Sequence, residues 1–599
     1  MLQHAPEANR SYMLSNYIIS TFRNIARNKT NSMINITGLA ISIACCIFVY
    51  VFIKHEKSFD SFHSKKDRIY RVVLDEKNGD RTDHDGYISF PVAKALRNEF
   101  PQFDMVTQVY VNNTVVISIP DQFGGRKLFE DNQLTYADED FLKTFDFKML
   151  AGNDRLLYQP DEAVLTKKLA DKFYNITSSQ GYVDLIGKMI EINKNSYRIA
   201  AILDDMPRNS NVACHLLLPF KVFEKENPKL VNNWKELYAE SYTFVTLPKN
   251  YSASQFDAAL VGFKNKYLDK EMASQQTYHP QPLAQVHTDE KYGGTFYTTP
   301  SIMVLAFIVM GVIVLITSCI NFINLATVQS LKRTKEVGIR KTLGSRNWEL
   351  VLHFMGETFV LTTIAAIIAV FLANYFLNAF NNYLAFIVEL DLHIDLTIIF
   401  FLGGLCLLIT FLAGFYPAKM MASFQPIMAL KQAIRAKHTG FSNRFSLRKV
   451  LVVAQFTVSQ LLIIGTIVVA MQMSYFHNRD LGYQRDGILT VTIPENNPQK
   501  LEVFRNQLMS RPQVKEVSFS SGPPTSASNG FIDLHRKEAL KEDKVHSERK
   551  FIDLHYLGTF NIKLVAGRNL REQDKVTLSD SLTSYNNFTK PKSSNSPWF

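Results

Sequence analysis

The chain has 599 residues and a formal net charge of +11, but only 20% of its residues are charged and 46% are hydrophobic. This length exceeds what one hydrophobic core holds and predicts three or more structural units. A basic chain can bind nucleic acid, yet the hydrophobic residues here are concentrated in long blocks. Such blocks exclude a nucleic-acid-binding protein and indicate a membrane protein.

Five apolar runs are long enough to cross a bilayer, because about 20 helical residues span its hydrocarbon core. The first run contains no charged residue. It is too long for the core of a signal peptide and no small-residue cleavage site follows it, so we expect it to remain as an anchor. The predicted transmembrane helices are residues 33–53, 302–326, 355–378, 396–416 and 450–471.

The distribution of Lys and Arg predicts the orientation of the chain, since cations are retained on the cytoplasmic side of a membrane. Residues 1–32 contain four of these cations, 327–350 contain six, 380–395 contain none and 416–449 contain seven. The alternation fits a multi-pass inner-membrane protein with a cytoplasmic N-terminus. The predicted cytoplasmic segments are 1–32, 327–353 and 417–449, and the predicted periplasmic segments are 54–300 and 473–575.

The large segment 54–300 mixes two hydrophobic periods, which predicts an α+β domain. Ser252 precedes one helical pattern and is expected to cap it. The predicted fold class is therefore an α-helical membrane protein with about five transmembrane helices and an α+β periplasmic domain. The predicted strands are residues 68–74, 196–203 and 241–248, and the predicted helices are 90–100, 162–174 and 252–268.

An internal repeat links two distant parts of the chain. Residues 136–153 align without gaps on residues 551–568, and seven of the 18 positions are identical, including Asp138 with Asp553. We therefore expect 473–575 to begin a second periplasmic domain. Residues 576–599 are rich in Ser, Thr and Asn without a helix or strand period, so they are predicted to be a disordered or aberrant tail. By the logic of the repeat, three further spans are expected after the second periplasmic domain, so the chain is expected to be truncated at its C-terminus.

Three motifs carry a family resemblance. They are "LKRTKEVGIRKTLGSRNWELVLHFMGET" from Leu331, "AGFYPAKMMASFQPIMALK" from Ala413 and "LRKVLVVAQFTVSQLLIIGTIVVAMQMSYFHNRDLGY" from Leu447. In their order along residues 12–570 they resemble the FtsX/MacB-type permeases of the type VII ABC transporter superfamily, in the duplicated eight-span version. The resemblance implies a MacB-like periplasmic core domain and mechanotransmission. It implies export of antimicrobial peptides or macrolide-like compounds first, and lipoprotein release as the alternative.

The basic segment after the second span is the main candidate site. As a helix it places Glu336 one turn before Arg340, the favourable order for an ion pair, and Gly338 and Gly344 are positions where the helix can bend or end. From the residues alone, two roles stay open: a helix in the lipid headgroup layer or a contact with another protein. The resemblance implies the second, a coupling helix that docks on a cytoplasmic ATPase. The predicted contact residues are Lys332, Arg333, Lys335, Glu336, Gly338, Arg340, Lys341 and Gly344.

Chemistry on a substrate is not predicted. The sequence has no GxxxxGK[ST] loop, so we expect ATP hydrolysis in a separate ABC ATPase subunit, and neither enzyme activity nor a cofactor in this chain. Asp80, Asp83, His84 and Asp85 are possible metal ligands, but a solvated turn is the preferred interpretation. Glu357 is interpreted as a contact to the basic segment or as helix-end packing rather than as a proton relay.

Two further predictions complete this interpretation. Tyr416 and Pro417 are expected to form a helix exit at the cytoplasmic interface, because proline stops or kinks a helix. Besides the ATPase, the partners expected are membrane lipid and a periplasmic adaptor or second permease protomer. A different class stays open: a membrane-anchored sensor or scaffold without ATP-driven transport.

Overall fold

The computed structural model describes Arg23 and, with internal gaps, residues 29–574. The predicted tail 576–599 and most of the predicted segments 1–32 and 417–449 lie outside the described residues. The chain forms two compact units, Met1–Thr466 and Ile467–Phe599. The gaps are residues 79–80, 113–114, 121–124, 132–133, 154–155, 177, 294–297, 385–389, 424–446, 492, 494–496, 527–529 and 536–543.

The first helix, α1 (Lys29–Glu56), is longer at both ends than the predicted span 33–53. Apolar residues in its middle, such as Ile43 and Ile47, are buried between other helices. Its last turn carries Lys54, His55 and Glu56, which a search for apolar runs leaves out. Because a helix has no reason to end where the hydrocarbon ends, α1 continues directly into the folded domain that follows.

That domain, here called the sheet domain, is built on one mixed sheet of 13 strands within the described residues. The order is β13-β1-β12-β3-β6-β11-β8-β10-β9-β4-β5, with β2 beside β1 and β7 beside β10. The strands are β1 (Ile69–Asn78), β2 (Arg81–Asp85), β3 (Met105–Asn112), β4 (Val115–Pro120), β5 (Arg126–Asp131), β6 (Leu134–Ala137), β7 (Met149–Gly152), β8 (Glu162–Thr166), β9 (Met189–Ile192), β10 (Asn195–Leu203), β11 (Leu216–Pro219), β12 (Ser241–Thr246) and β13 (Gln276–Pro282).

Short helices cover the sheet and bury its apolar side chains. Around β1, β12 and β13 the core includes Leu96, Phe256 and Phe263, while the strands toward β4 pack with Leu169 and Phe223. The helices are α2 (Pro91–Glu99), α3 (Phe141–Thr144), α4 (Lys167–Tyr174), α5 (Ser179–Val183), α6 (Phe220–Glu226), α7 (Pro228–Val231), α8 (Ala253–Tyr267) and α9 (Lys270–Gln275).

Five of the six strands and helices predicted for this domain are present in the structure. The expected cap is confirmed: Ser252 accepts the Gln255 N–H and forms a capping box at the start of α8. The prediction of one helix over 162–174 is wrong, because its first five residues form β8 and only the rest form α4. Every residue of β8 is buried, with the strand lying between β10 and β11, so sheet pairing overrides the helical spacing.

Long apolar helices follow the sheet domain. With α1, five helices within the described residues are long and apolar enough to cross a membrane. Together with the mixed sheet they confirm the predicted fold class. A π-helical turn, Thr410–Gly414, joins α13 to α14 in one continuous rod. The helices are α10 (Ser301–Lys332), α11 (Thr334–Thr342), α12 (Asn347–Leu384), α13 (Leu396–Ile409), α14 (Phe415–Ala422) and α15 (Leu447–Asn478), the last crossing into the second unit.

The second unit repeats a local structure of the sheet domain. Its helix α16 (Pro498–Met509) begins with proline at its first position, as α2 does. A hairpin of β14 (Gly530–His535) and β15 (Lys544–Arg549) follows, as β4 and β5 follow β3. The four-residue helix α17 (Tyr556–Thr559) then occupies the place of α3 in the alignment.

One hydrogen-bond network is common to both copies. In the sheet domain, the buried Asp138 carboxylate pairs with Arg97 and accepts the Thr107 hydroxyl at 2.6 Å and the Gln108 N–H at 3.0 Å. The Asp140 N–H also donates to it.

In the second unit, Asp553 pairs with Arg505 and accepts the Ser518 hydroxyl at 2.6 Å and the Phe519 N–H at 2.8 Å. The backbone bridge Ser520–Ile552 matches the pair Val109–Ala137 of β3 and β6. The aligned aspartates therefore join a helix, an extended segment and a turn in each copy, and the extended segment is a strand only in the sheet domain.

This network predicts a stability effect. Asp138→Asn removes the charge that binds Arg97 and should destabilise the sheet domain by about 2 kcal/mol, since hydrogen bonds to a charged group are the stronger ones. The midpoint of thermal unfolding in detergent measures the effect. Asp204→Asn is the control, because Asp204 pairs with Lys148 at the surface, where an ion pair contributes ~1 kcal/mol or less. Equal shifts for both variants would contradict the assignment.

Candidate functional site at one membrane face

The short helix α11 lies between two membrane helices, α10 and α12, and ends as the sequence suggests. Gly344 follows it with φ +99°, a left-handed conformation that favours glycine. The Ser345 N–H donates to Arg340 O at 3.1 Å and the Gly344 N–H to Lys341 O at 3.0 Å, which is a Schellman motif. Gly344 thus ends the helix, whereas Gly338 lies inside it.

One stripe of α11 is turned toward the protein. The Val337 side chain is almost fully buried and packs with Leu350 and Phe354 of α12 and with Ala418 and Met421 of α14. Burying an aliphatic side chain of this kind stabilises by about 1.5–3 kcal/mol. The contact therefore seats α11 on two helices that belong to the membrane bundle.

Two cations flank Val337 at helical spacing and make contacts within the protein. Arg333 Nη1 lies 2.7 Å from Glu357 Oε2, with the two side chains 18% and 14% exposed. His353 Nε2 lies 3.6 Å from the other Glu357 oxygen. Lys341 Nζ donates to Ala422 O, at the end of α14, at 2.6 Å. Glu357 is therefore a contact to the basic segment, as interpreted from the sequence.

A second stripe, here called the outward stripe, consists of Glu336, Ile339, Arg340 and Leu343. Arg340 Nη2 and Glu336 Oε1 form the predicted ion pair at 2.7 Å. Ile339 and Leu343 are 52% and 82% exposed, and Trp348 at the start of α12 is 58% exposed. The sequence indicates a partly apolar side that includes Ile339 and Leu343, but the predicted contact residues leave both of them out, although their i, i+4 spacing beside a helix-ending glycine was an available signal. The side chains of Lys332 and Lys335 lie outside the described residues.

A small polar cavity of about 60 Å³ lies behind α11, among α1, α10, α12 and α14. Its lining includes Asn35, Gln329, Arg333 and Glu357. Asn35 Oδ1 is buried and has no hydrogen-bond partner among the described residues.

The predicted helix exit needs correction. The chain does not leave the helix at Tyr416 and Pro417, because α14 continues to Ala422. Pro417 is the third residue of α14 and lies within the continuous rod formed by α13, the π-helical turn and α14. A Cβ on Gly414, in the π-helical turn, would lie 3.0 Å from Thr358 Oγ1. Glycine therefore lets this turn approach α12 closely, and the rod continues to Ala422.

The aspartates and histidine considered as metal ligands do not come together. Residues 81–85 form strand β2 rather than the predicted turn, so successive side chains point to opposite faces. His84 Nδ1 lies 2.8 Å from Asp75 Oδ1, and Asp83 pairs with Arg81. Asp80 lies outside the described residues. The residues that the structure describes contain no group of three or more potential metal ligands.

These features define a class of protein. It is a multi-pass membrane protein whose first two membrane helices flank a large sheet domain at one end. The second of them leads at its other end into a short amphipathic helix, which is seated on the membrane bundle by Val337 and two inward-turned cations.

Comparisons with known proteins agree with this class. The MacB-like periplasmic core domain matches residues 32–262, and the FtsX-like permease C-terminal matches residues 308–426. The macrolide export ATP-binding/permease protein MacB of Campylobacter jejuni is 25% identical over 296 residues, which are 48% of this chain and 41% of that protein. MacB of Haemophilus ducreyi is 22% identical over 430 residues, 69% of this chain and 55% of that protein. The chain thus spans about half the length of these relatives.

Among solved structures, the periplasmic region of MacB from Actinobacillus actinomycetemcomitans is 13% identical, with a TM-score of 0.26, and covers 37% of this chain and 91% of that chain. The two domain matches fall on the sheet domain and on the helices around α11. The chain therefore combines a match to the MacB-like periplasmic core domain, which includes most of the sheet domain, with a match to the FtsX-like permease C-terminal, and both confirm the resemblance to FtsX/MacB-type permeases.

The inward contacts of α11 predict a measurable rigidity. Arg333→Glu places two carboxylates at the site of an ion pair, so it should release α11 and increase the mobility of a spin label attached at Leu343→Cys. Electron paramagnetic resonance of the labelled chain measures this mobility. Arg333→Glu combined with Glu357→Arg should restore the original spectrum.

The matched control is Arg340→Glu, which removes the exposed pair with Glu336. It should change the spectrum little, because exposed pairs contribute ~0–1 kcal/mol. An unchanged spectrum in Arg333→Glu, or a failure of the double reversal to restore it, would contradict the assigned role of the half-buried pair of Arg333 and Glu357.

Proposed function

We propose that this chain is the permease subunit of an ABC transporter, in which a separate cytoplasmic ATPase docks on α11 and drives movement of the periplasmic domain. The observation that carries the proposal is the outward stripe, in which Ile339 and Leu343 are exposed on a short helix. The opposite side of the same helix packs through Val337 on the membrane bundle. A force applied to such a helix is passed to α12 and α14 rather than absorbed by a loose loop.

The charge of the outward stripe favours a protein partner over lipid. A helix bound to anionic headgroups presents a cationic polar face. In the described part of this helix, the exposed ion pair of Glu336 with Arg340 is neutral, and Arg333 and Lys341 are occupied by contacts within the chain. Apolar residues beside a complementary ion pair are typical of a protein interface, in which charge sets specificity.

The orientation follows from the same proposal. An ATPase that uses cellular ATP requires α11 on the cytoplasmic side, which agrees with the Lys and Arg distribution and places the N-terminus there as well. The sheet domain, at the opposite ends of α1 and α10, is then periplasmic. The absence of a phosphate-binding loop from the sequence supports ATP hydrolysis in a different polypeptide.

For the transported compound, we propose export of antimicrobial peptides or macrolide-like molecules. Relatives named as macrolide export proteins support this choice, at identities of 25% or less. Lipoprotein release from the inner membrane is the second candidate. A periplasmic adaptor and a second permease protomer are further partners proposed for the assembly.

Co-purification tests the ATPase contact. Leu343→Glu should abolish recovery of an ABC ATPase with the tagged chain in mild detergent, because a carboxylate would replace an apolar side chain that is 82% exposed. Leu128→Glu is the matched control: Leu128 is 70% exposed on β5 of the sheet domain, and its replacement should leave recovery unchanged.

Three results would count against the proposal. Equal recovery from Leu343→Glu and the original chain would exclude the outward stripe as the contact. Failure to recover any ATPase with the original chain would favour a sensor or scaffold. Loss of binding to anionic vesicles in Leu343→Glu, with ATPase recovery intact, would favour the lipid interpretation.

A further inference from the structure

The outer end of α1 contains a buried ionisable contact that the proposed ATPase site does not use. Glu56, the last residue of α1, lies with its Oε2 2.7 Å from His287 Nε2, and the two side chains are only 2% and 1% exposed. His287 belongs to the segment between β13 and α10. The pair therefore joins the end of the first membrane helix to the approach of the second.

His287 is held on two further sides. Its ring stacks on Phe59, with the ring centroids 3.4 Å apart and the planes within 7° of parallel. The Thr299 N–H donates to the His287 carbonyl at 2.9 Å, two residues before α10 begins at Ser301. One residue thus contacts the end of α1, the turn after it and the start of α10.

The chain after α1 is also fixed to the middle of the sheet. Asp60 has a φ of +52°, which is rare for a residue with a side chain. Its N–H donates to Asn209 O at 2.8 Å, and its carboxylate accepts the Ser210 hydroxyl at 2.9 Å and Asn211 Nδ2 at 2.7 Å. Residues 209–211 lead into β11, which lies between β6 and β8. The strained turn is therefore stabilised by the sheet domain.

A second contact holds the segment before α10 on the edge of the sheet. The buried Arg71 of β1 donates from Nη2 to Tyr292 O at 3.2 Å, and the Gly86 N–H donates to Gly293 O at 2.9 Å. A Cβ on Gly86 would lie 2.3 Å from Gly293 O and 2.9 Å from Arg71 Cζ. Only glycine allows this approach, so the segment cannot shift without moving β1.

We propose that Glu56, Phe59, Asp60 and His287 form a joint that transmits movement of α1 and α10 to the sheet domain. The transmitting role rests on the proposed function, since it requires a force generated at α11. The positioning role does not, because it follows from the contacts alone. A carboxylate and an imidazole buried together hold their relative position tightly, as displacement leaves a buried polar group without its partner.

Hydrogen–deuterium exchange of the full chain in detergent tests the positioning role without any partner. Glu56→Gln and His287→Gln should each accelerate exchange by about tenfold or more in residues 283–293 and 209–211, through local opening. Residues 115–120 of β4 should exchange at their original rate. The swapped pair, Glu56→His with His287→Glu, should restore slow exchange at the joint.

The matched control is Glu76→Gln. Glu76 is a half-buried carboxylate of β1 that accepts Gln276 Nε2 at 2.8 Å, and its replacement should leave exchange at 283–293 unchanged. Unaltered exchange at the joint in both single variants, or equal acceleration throughout the sheet domain, would overturn the positioning role. Failure of the swapped pair to restore slow exchange would overturn it as well.

The transmitting role is tested with the ATPase complex, by comparing exchange in the sheet domain with and without ATP. The joint variants should retain ATPase binding but lose the ATP-dependent change seen in the original chain. Retention of that change in both variants would overturn the transmitting role while leaving ATPase docking intact. Absence of a bound ATPase in the original chain would instead contradict the proposed function and the transmitting role, and leave the positioning result standing.

Discussion

Hydrocarbon imposes the constraint on which the rest of this structure depends. Backbone polar groups inside a bilayer must be paired within the same segment, so only continuous helices cross it and no irregular loop can carry a movement through. Any coupling between the two membrane faces must therefore act through the ends of helices. In this chain, polar contacts are found at such ends: the half-buried pair of Arg333 and Glu357 at one face, and the buried pair of Glu56 and His287 at the other.

Such pairs determine geometry more than stability. Removing two charged groups from water costs several kcal/mol, which the attraction between them repays only when the distance and the hydrogen bonds are favourable. A hydrophobic pair of similar volume would stabilise the fold as well or better. What a buried polar pair adds is intolerance of displacement, because a shift leaves a buried polar group without a partner. At helix ends this property makes two elements move as one body.

The sequence predicted the parts that depend on local pattern. Apolar runs located the membrane helices, Gly344 indicated the end of α11, and the spacing of Glu336 and Arg340 indicated their ion pair. It could not tell which cations of one basic segment turn inward, since Arg333 and Arg340 are chemically identical. Their contacts depend on where α12 passes.

Contacts between distant residues and the ends of some helices could not be predicted from the sequence either, because they also depend on the packing of other elements. Glu56 and His287 are 231 positions apart. The residues that flank each of them in the sequence contain no pattern that predicts the contact. The end of α14 was misplaced for a related reason, because the effect of Pro417 depends on the π-helical turn before it. The strand β8 was misjudged because its helical spacing carries less weight than its place between two other strands.

The internal repeat distinguishes residues that stabilise the fold, which occur in both copies, from the residues proposed to bind the ATPase, which do not. The network around Asp138 recurs around Asp553: each aspartate binds an arginine from a helix and accepts a hydroxyl and an N–H from two consecutive residues, and a helical turn follows it. One carboxylate with this many partners fixes three elements at once, so it is the least replaceable part of the domain. The segment of α11 and the start of α12 lies outside both copies. The residues proposed to meet the ATPase are therefore not required for the fold of either copy, which leaves their exposed side chains free to match a partner.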